Sequence, residues 1–179
     1  MREFESIIAG FGGQGLLFSG KVLAYAGLTE GRELSWLPSY GPEMRGGTAN
    51  CHVILSDSPV GSPIVMKPNV LMVMNLPSLE KFENDVVTGG MIFVDSTLID
   101  KKVARDDVKV FYVPATRLAQ EMGAPALANM ILLGKLVAET ECIEWASLEK
   151  GLKKVIPARK ADMFDLNMKA LEVGKSYCG

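Results

Sequence analysis

Cysteine is scarce in this sequence, and its spacing excludes two classes of protein. The three cysteines, Cys51, Cys142 and Cys178, lie far apart, and no C-x-x-C pair occurs. A disulfide framework or a zinc or iron–sulfur site of ordinary spacing needs more cysteines, or cysteines in close pairs. The sequence therefore predicts a reduced chain that holds no metal cluster of its own.

Histidine occurs once, as His52, on a predicted strand face that it shares with Asn50. A zinc site needs several ligands that converge, and Cys51 lies on the opposite, apolar face of the same strand. We therefore expect no metal site here. A hydrogen-bonded strand histidine is favoured over a general base, and Cys51 is interpreted as a small inert apolar residue.

An excess of charge and long apolar runs are also missing. The formal net charge is -2 and charged residues make up 22% of the chain, so no broad field attracts nucleic acid or acidic lipid. No apolar run approaches the roughly 18 residues of a membrane span. The first residues carry acids where a signal peptide needs bases. The sequence predicts a cytoplasmic protein that binds neither nucleic acid nor a membrane.

Apolar residues make up 48% of the 179 residues, which suits one domain with a core, predicted over residues 1–179. Short, nearly all-apolar runs alternate with segments of helical period. This pattern predicts an α/β, Rossmann-like fold with a mostly parallel sheet and helices on both faces. We predict strands at 6–9, 33–37, 49–56, 70–74, 91–94 and 108–113, and helices at 13–30, 78–84, 116–122, 126–140, 145–156 and 162–177. Pro38 is expected to stop the second strand.

A glycine-rich loop at Gly10–Gly15 fits G-x-G-x-x-G between the first predicted strand and the first helix. Such glycines allow a tight turn and bring main-chain N–H groups close to an anion at the helix N-terminus. One interpretation is a phosphate-bearing ligand, and another is packing of the helix on the sheet alone. A dinucleotide is disfavoured because the second strand ends in Trp36–Pro38, without the acid that holds a ribose.

A second glycine pattern overlaps this loop and is a false match. Gly15–Lys21 fits G-x-x-x-x-G-K, but Val22 stands where the magnesium-binding Ser or Thr belongs. The pattern also begins too late after its strand, since Leu16 and Leu17 already follow the helical period. Nucleotide hydrolysis is therefore rejected.

The segment Tyr40–Gly47 is a shaped polar loop, because Pro42 fixes one dihedral and three glycines permit unusual ones. It follows the carboxyl end of the second strand, the edge at which open α/β sheets bind ligands. We call this edge, with Gly10–Gly15 and Tyr40–Gly47, the strand-end rim. Arg45 either grips a carboxylate or phosphate there or pairs with Glu43.

Three segments carry a resemblance to a known family: "GFGGQG" at 10–15, "SYGPEMRGGTANCHVILSD" at 39–57 and "ALANMILLGKL" at 126–136. Together they resemble the gamma subunit of 2-oxoacid:ferredoxin oxidoreductases, over nearly the whole chain. The resemblance implies an enzyme that decarboxylates a 2-oxoacid on thiamine diphosphate, passes electrons through iron–sulfur clusters to ferredoxin and releases an acyl-CoA. Within the family the sequence most resembles the 2-oxoglutarate type, followed by the branched-chain (ketoisovalerate) and pyruvate types.

The resemblance implies a division of labour between subunits. This chain has no G-D-G motif and no ferredoxin-type cysteine run. The family places thiamine diphosphate and magnesium between alpha and beta subunits, and the clusters on a delta subunit or the beta chain. The isolated chain is therefore expected to bind none of these cofactors and to be inactive. By resemblance, its strand-end rim faces the alpha and beta subunits and helps to shape the cavity for coenzyme A.

The candidate rim residues are Gly10, Gly12, Gly13, Gln14, Gly15, Tyr40, Gly41, Pro42, Glu43, Arg45, Gly46, Gly47 and Asn129. Asn129, in an apolar helix, is interpreted as tying down a neighbouring loop or partner. Asp95, at a strand end, is expected to cap a turn, with a place at the rim as the alternative. Two other functions stay open: an independent nucleotide-binding module, and a structural protein that docks onto itself.

Overall fold

The computed structural model describes residues 3–39 and 48–179. Within these ranges six strands form one sheet in the order β2-β3-β1-β4-β5-β6. The strands are β1 Phe4–Phe11, β2 Glu33–Ser39, β3 Thr48–Ser56, β4 Val70–Val73, β5 Met91–Asp95 and β6 Lys109–Val113. The helices are α1 Leu16–Thr29, α2 Leu76–Phe82, α3 Ala115–Glu121, α4 Ala128–Thr140, α5 Trp145–Val155 and α6 Ala161–Ser176.

The sheet is mostly parallel, with β3 as the exception. Strand β3 pairs antiparallel with both β1 and β2, whereas β1, β4, β5 and β6 pair in parallel. Strand β2 therefore runs in the same direction as β1, one strand removed from it. The α/β class with a mostly parallel sheet is confirmed. The single domain over residues 1–179 stays a prediction.

Helices cover both faces of the sheet, unequally. On one face α1, α3, α4, α5 and α6 pack over a large core that contains Ile8, Met72 and Phe93. We call this the five-helix face. The other face carries α2 and irregular segments over a smaller core, which includes Ile7 and Leu71. Because neighbours along each strand point to opposite faces, the nearly all-apolar strands bury side chains on both sides.

The second strand does not stop at Pro38, and that prediction is wrong. Strand β2 continues to Ser39, and Pro38 lies opposite Cys51 within the β2–β3 ladder. Because β2 is the last strand on its side of the sheet, a proline without an N–H group is tolerated there. Whether a strand tolerates a proline thus depends on its position in the sheet, and the local sequence does not reveal strand order.

Two helices of the five-helix face approach closely at glycines. A Cβ atom on Gly134 of α4 would meet the main chain of Leu171, and one on Gly174 of α6 would meet the carbonyl oxygen of Ile131. The two helix backbones can lie this close only because neither glycine carries a side chain. This contact fixes the position of α4, and with it the position of Asn129.

None of the described helices is long and apolar enough to cross a lipid bilayer.

Candidate functional site

The glycine loop lies between β1 and α1, as the sequence predicts. Gly13 and Gly15 adopt left-handed backbone conformations, with φ of 90° and 77°. Residues with side chains rarely adopt these values, so the chain needs glycine at both positions to turn from the strand into the helix. Gly15 is also the N-cap residue of α1, and no side chain caps that helix end among the residues described.

Gln14 braces this loop from within. Its Oε1 accepts the main-chain N–H of Phe11 at 2.6 Å, and its Nε2 donates to the carbonyl oxygen of Met74 at 3.1 Å. Met74 directly follows β4, so the side chain joins the loop to the neighbouring strand. Both ends of the amide thus have main-chain partners, which assigns Gln14 an internal role. A role in ligand binding stays a prediction.

Asn129 ties the same loop to α4 from the five-helix face. Its buried Nδ2 donates to the carbonyl oxygen of Gly15 at 2.9 Å and to Ser19 Oγ at 3.0 Å. A Cβ atom on Gly15 would lie 2.6 Å from Asn129 Nδ2, so the contact itself requires glycine. The interpretation of Asn129 as an anchor for a neighbouring loop is confirmed, and its place at a ligand-binding rim stays a prediction.

The remaining rim candidates lie outside the described residues: Tyr40, Gly41, Pro42, Glu43, Arg45, Gly46 and Gly47. The residues on either side of them are described. Ser39 pairs with Asn50, and Thr48 pairs with Phe11 at the carboxyl end of β1. Both ends of the segment therefore join the sheet beside the glycine loop, at the edge the sequence predicts.

Exposed apolar side chains mark this edge. Phe11 at the end of β1, Leu76 just after β4 and Leu98 just after β5 are 43%, 39% and 47% exposed. Because β1, β4 and β5 are neighbours that run in parallel, these side chains follow the same ends of three adjacent strands. Exposed apolar groups that share one edge are typical of surfaces that meet another protein.

Asp95 is a structural cap and is not a free carboxylate at the rim. It is fully buried, and its oxygens accept hydrogen bonds from the N–H of Thr97 and from the N–H and hydroxyl of Thr116, the last at 2.6 Å. It therefore fixes the turn after β5 and the first turn of α3. The expectation that Asp95 caps a turn is confirmed.

Strand order adds a second argument against a dinucleotide. In dinucleotide-binding folds the strand next to β1 ends in the acid that holds the ribose. Here the neighbour of β1 is the antiparallel β3, which begins at the rim with Thr48. The parallel β2 lies one strand further out and ends in apolar residues and Ser39. Within the described residues, neither strand therefore carries an acid for a ribose at its rim end; the one acid of β2, Glu33, lies at the other end of that strand.

A cleft that the sequence analysis missed opens on the face that carries α2. Its volume is about 500 Å³, and it lies between β2, β3 and α2. We call it the β3–α2 cleft; it is lined by Leu37, Pro38, Ser39, Asn50, His52, Ile64, Lys81 and Phe82. The prediction that Asn50 and His52 share one strand face indicated part of this lining. Lys81, from a distant helix, could not be placed from local pattern.

His52 is a hydrogen-bonded strand residue, as favoured from the sequence. Its Nδ1 accepts the main-chain N–H of Val65 at 2.9 Å. Burial lowers the pKa of the imidazole, and the nearby Lys81 ammonium lowers it further. At neutral pH the ring is therefore uncharged, with its proton on Nε2.

A larger cavity, of about 540 Å³, lies at the opposite end of the strands, away from the glycine loop. Its lining includes Arg32, which donates to the carbonyl oxygens of Cys142 at 2.7 Å and Leu55 at 3.1 Å. Arg32 also lies 3.5 Å from Asp57. This arginine joins α1, β3 and the start of α5, so we interpret the cavity as structural.

Two of the three cysteines, Cys51 and Cys142, are buried and unreactive. Burial raises the pKa of the Cys51 thiol to about 12 and that of Cys142 to about 11. Both stay protonated, so the interpretation of Cys51 as an inert apolar residue is confirmed. Within 3–39 and 48–179, no three His, Cys, Asp or Glu side chains gather where they could hold a metal ion.

Residues 5–177 match the protein family described as pyruvate ferredoxin/flavodoxin oxidoreductase. Ketoisovalerate oxidoreductase subunit VorA of Methanothermobacter thermautotrophicus is 42% identical over 179 residues, which cover 98% of this chain and 37% of that protein. The 2-oxoglutarate synthase subunit KorC of Methanocaldococcus jannaschii is 35% identical over 156 residues, which cover 86% of this chain and 83% of that protein. This chain thus spans about 37% of the ketoisovalerate relative and most of the 2-oxoglutarate relative.

A solved structure has the same fold over nearly the full length of both chains. It is the gamma subunit of a keto/oxoacid ferredoxin oxidoreductase from Geobacter sulfurreducens, with a TM-score of 0.82, 29% identity and 96% of each chain covered. The resemblance that the three sequence segments indicated is confirmed. The chain belongs to the pyruvate ferredoxin/flavodoxin oxidoreductase family.

Proposed function

We propose that this chain is the non-catalytic gamma subunit of a 2-oxoacid:ferredoxin oxidoreductase. The observation that supports this best is the end-to-end match to a free-standing gamma subunit, with 96% of both chains covered. The enzyme decarboxylates a 2-oxoacid, transfers the acyl group to coenzyme A and reduces ferredoxin. The chain works in the cytoplasm with alpha and beta subunits and, in four-subunit forms, a ferredoxin-like delta subunit.

The chemistry of the described residues favours cofactor sites on the partner subunits. An iron–sulfur cluster needs several thiolates close together, and Cys51 and Cys142 are buried, protonated thiols. Thiamine diphosphate needs magnesium held by oxygen ligands, and no acidic cluster suited to a metal occurs in the described part of the chain. In this proposal both groups are bound by the partner subunits, and the contribution of this chain is to shape the site that the partners carry.

The strand-end rim is the surface that meets the partners in this proposal. Gln14 and Asn129 hold the glycine loop rigid from two sides, and exposed apolar side chains flank it. A rigid, partly apolar edge is suited to docking, because little conformational freedom is lost on association. Here the segment Tyr40–Gly47, with Arg45, helps to form the cavity into which coenzyme A enters.

Two 2-oxoacids are favoured by different observations. Similarity along most of a free-standing 2-oxoglutarate synthase subunit favours 2-oxoglutarate. The higher identity to a ketoisovalerate oxidoreductase subunit favours a branched-chain 2-oxoacid. Pyruvate ranks third.

Affinity purification under anaerobic conditions tests the assignment. The tagged chain is isolated from its native cells, the accompanying chains are identified, and coenzyme-A-dependent viologen reduction is measured with 2-oxoglutarate, 2-oxoisovalerate and pyruvate. We expect companion chains that carry a thiamine diphosphate site and cluster cysteines, with one oxoacid clearly preferred. Companions without both would contradict the proposal, and tight binding of NAD, FAD or ATP to the chain alone would favour a nucleotide-binding module.

A further inference from the structure

Strand β2 leaves one side of the sheet open. It is the last strand in the order, and no strand of the described residues pairs with its outer side. At the other side of the sheet, β6 begins with the exposed Lys109, a charge of the kind that keeps sheet edges from pairing. In β2 the residues Leu34–Leu37 carry no charge. An uncharged open edge is a template for another strand.

The hydrogen bonds of the sheet show which residues of β2 turn their main chain to this open edge. In β1 the carbonyl oxygen of Ala9 accepts the N–H of Met74 at 3.0 Å, so Ala9 faces β4 and its neighbour Ile8 faces β3. Cys51, the partner of Ile8, then faces β1 and turns its main chain away from Pro38. Pro38 therefore faces outward, where its missing N–H costs no bond within the sheet.

Trp36 and Leu34 share this outward direction, because the direction of the main chain repeats every second residue. Each of them offers an N–H donor and a C=O acceptor to a neighbouring strand. Both side chains lie on the five-helix face, where they pack against the large core. The open edge thus presents two hydrogen-bonding residues whose side chains share one face.

A groove beside β2 can receive the side chains of an added strand. It has a volume of about 410 Å³, lies between α1 and β2, and has a lining that includes Tyr25, Leu28, Leu34 and Trp36. We call it the α1–β2 groove. Leu28 is 60% exposed at this surface. Strands that add to an open edge bind in this way, since main-chain bonds give affinity and side chains fill the adjacent pocket.

A second copy of β2 fits this edge in one register. Two strands related by a two-fold axis run antiparallel, and with Ser35 opposite Ser35, Leu34 lies opposite Trp36 of the other copy. Both residues face outward, so they form hydrogen-bonded pairs with side chains on the same face. Moving one strand by two residues brings into the ladder either Pro38, which cannot donate, or Arg32, which is held by carbonyl oxygens of its own chain.

We propose that two copies of this chain associate through their β2 strands, antiparallel around Ser35, so that their sheets continue into one another. Leu34 and Trp36 form the ladder, and their side chains fill the groove of the other copy beside Leu28. One strand and one helix face make a small interface, so we expect a Kd on the order of 10 µM. The proposal does not rest on the role of the chain as a gamma subunit, and its test needs no partner subunit.

A cysteine at the two-fold axis tests the contact and its register together. Ser35→Cys is combined with Cys178→Ser, which removes the exposed natural thiol. In this register Ser35 and its counterpart form a non-hydrogen-bonded pair, with Cα atoms about 4.5 Å apart, within the range of a disulfide. We expect oxidised glutathione to convert most of the full-length chain to a covalent dimer on non-reducing electrophoresis. The two thiols lose two protons and two electrons, which reduce one oxidised glutathione to two thiols.

Glu33→Cys in the same background is the matched control. It lies on the same strand and is more exposed than Ser35, so its thiol is at least as accessible. In the proposed register the two copies of residue 33 lie four positions apart along the strands, or about 13 Å, too far for a disulfide. We expect at least about fivefold less covalent dimer than with Ser35→Cys.

Sedimentation equilibrium measures the affinity without a cross-link. Leu28→Lys places a charge beside the α1–β2 groove and is expected to weaken the dimer at least about tenfold. Leu166→Lys, on α6 and 39% exposed, adds an equal charge away from β2 and should change the Kd less than twofold. Both side chains are exposed, so both variants should keep the fold, which far-UV circular dichroism checks.

Four results would overturn the proposal. One is a chain that sediments as a monomer well above the expected Kd. Another is an equal yield of disulfide from Ser35→Cys and Glu33→Cys, and a third is an equal effect of Leu28→Lys and Leu166→Lys. The last is a dimer that separates when partner subunits are added, with the amides of Leu34 and Trp36 still protected from hydrogen exchange, because the edge would then belong to a partner subunit.

Discussion

At the scale of single residues, burial decides how the three cysteines react. Cys51 and Cys142 are enclosed, and loss of hydration raises the pKa of each thiol well above its ordinary value. Cys178 is exposed near the carboxyl end. Since the thiolate is the nucleophile, only an exposed cysteine can react quickly with a thiol reagent.

We therefore predict one fast thiol per folded chain. With an aromatic disulfide reagent at pH 8, Cys178 should react within the first minutes, and Cys51 and Cys142 only after denaturant is added. Cys178→Ser should abolish the fast phase and leave two thiols in the unfolded protein. A fast phase of two or more thiols per chain would show that the buried cysteines are more accessible than the structure indicates.

His52 gives the protein a pH dependence of predictable sign. Burial and Lys81 lower its pKa in the folded state below the ordinary value, so the unfolded chain binds the proton more readily. The contribution of this pKa difference to the free energy of unfolding is complete above the pKa of histidine in the unfolded chain, near 6.5. It is lost as the pH falls below that value.

We predict that the free energy of unfolding falls more between pH 7.5 and 5.5 in the natural protein than in His52→Gln. Urea unfolding at the two pH values measures the difference, and carboxyl groups common to both proteins cancel. Gln is the matched replacement because its amide can still accept from Val65 N–H and donate to the cleft. The same pH dependence in both proteins would refute the assignment.

At the scale of elements, the turn from β1 into α1 depends on one side chain. Gln14 connects the glycine loop to the end of β4 through two hydrogen bonds. We predict that Gln14→Ala lowers the free energy of unfolding by about 1–2 kcal/mol, since two bonds of ordinary strength are lost. Gln120→Ala, exposed on α3, is the control and should change it by less than about 0.5 kcal/mol. Equal effects would mean that Gln14 is not a brace.

The contact between α4 and α6 leads to a second prediction at this scale. Gly134→Ala should destabilise the protein by about 2 kcal/mol, because the added methyl group forces the main chain of Leu171 to move. This loss outweighs the higher helix propensity of alanine, which favours it over glycine by about 1 kcal/mol. Gly61→Ala, with open space around it, should be nearly neutral. Thermal and urea unfolding of both variants measure this. A neutral Gly134→Ala would mean that the helices lie further apart than described.

The elements themselves were largely predictable, and their arrangement was less so. Apolar runs indicated β4, β5 and β6 because side chains of these strands pack into the apolar clusters on both faces of the sheet. Gly31, which has a left-handed backbone just after α1, is a typical helix stop signal. The antiparallel direction of β3 is a matter of strand pairing, which no local pattern shows. The β3–α2 cleft was missed for a similar reason: Lys81 lies 29 positions after His52 in the sequence.

At the scale of the whole molecule, the surfaces differ in what they can bind. The last third of the sequence carries a basic cluster, which would suit either an acidic partner or a solvated helix face: Lys150, Lys153, Lys154, Arg159 and Lys160. They are exposed, and Lys153 pairs with Glu149 at 2.7 Å, which supports the solvated face. The strand-end rim, with its braced loop and exposed apolar side chains, is the better candidate for docking.

Reconstitution tests the central proposal, that this chain completes an active site carried by other subunits. Coenzyme-A-dependent viologen reduction is measured under anaerobic conditions for the partner subunits alone, for this chain alone, and for the two combined. We predict no activity for the chain alone and at least about a tenfold increase when it joins its partners, because a site completed across an interface needs both sides in place. Turnover by the isolated chain, or partners fully active without it, would contradict the account.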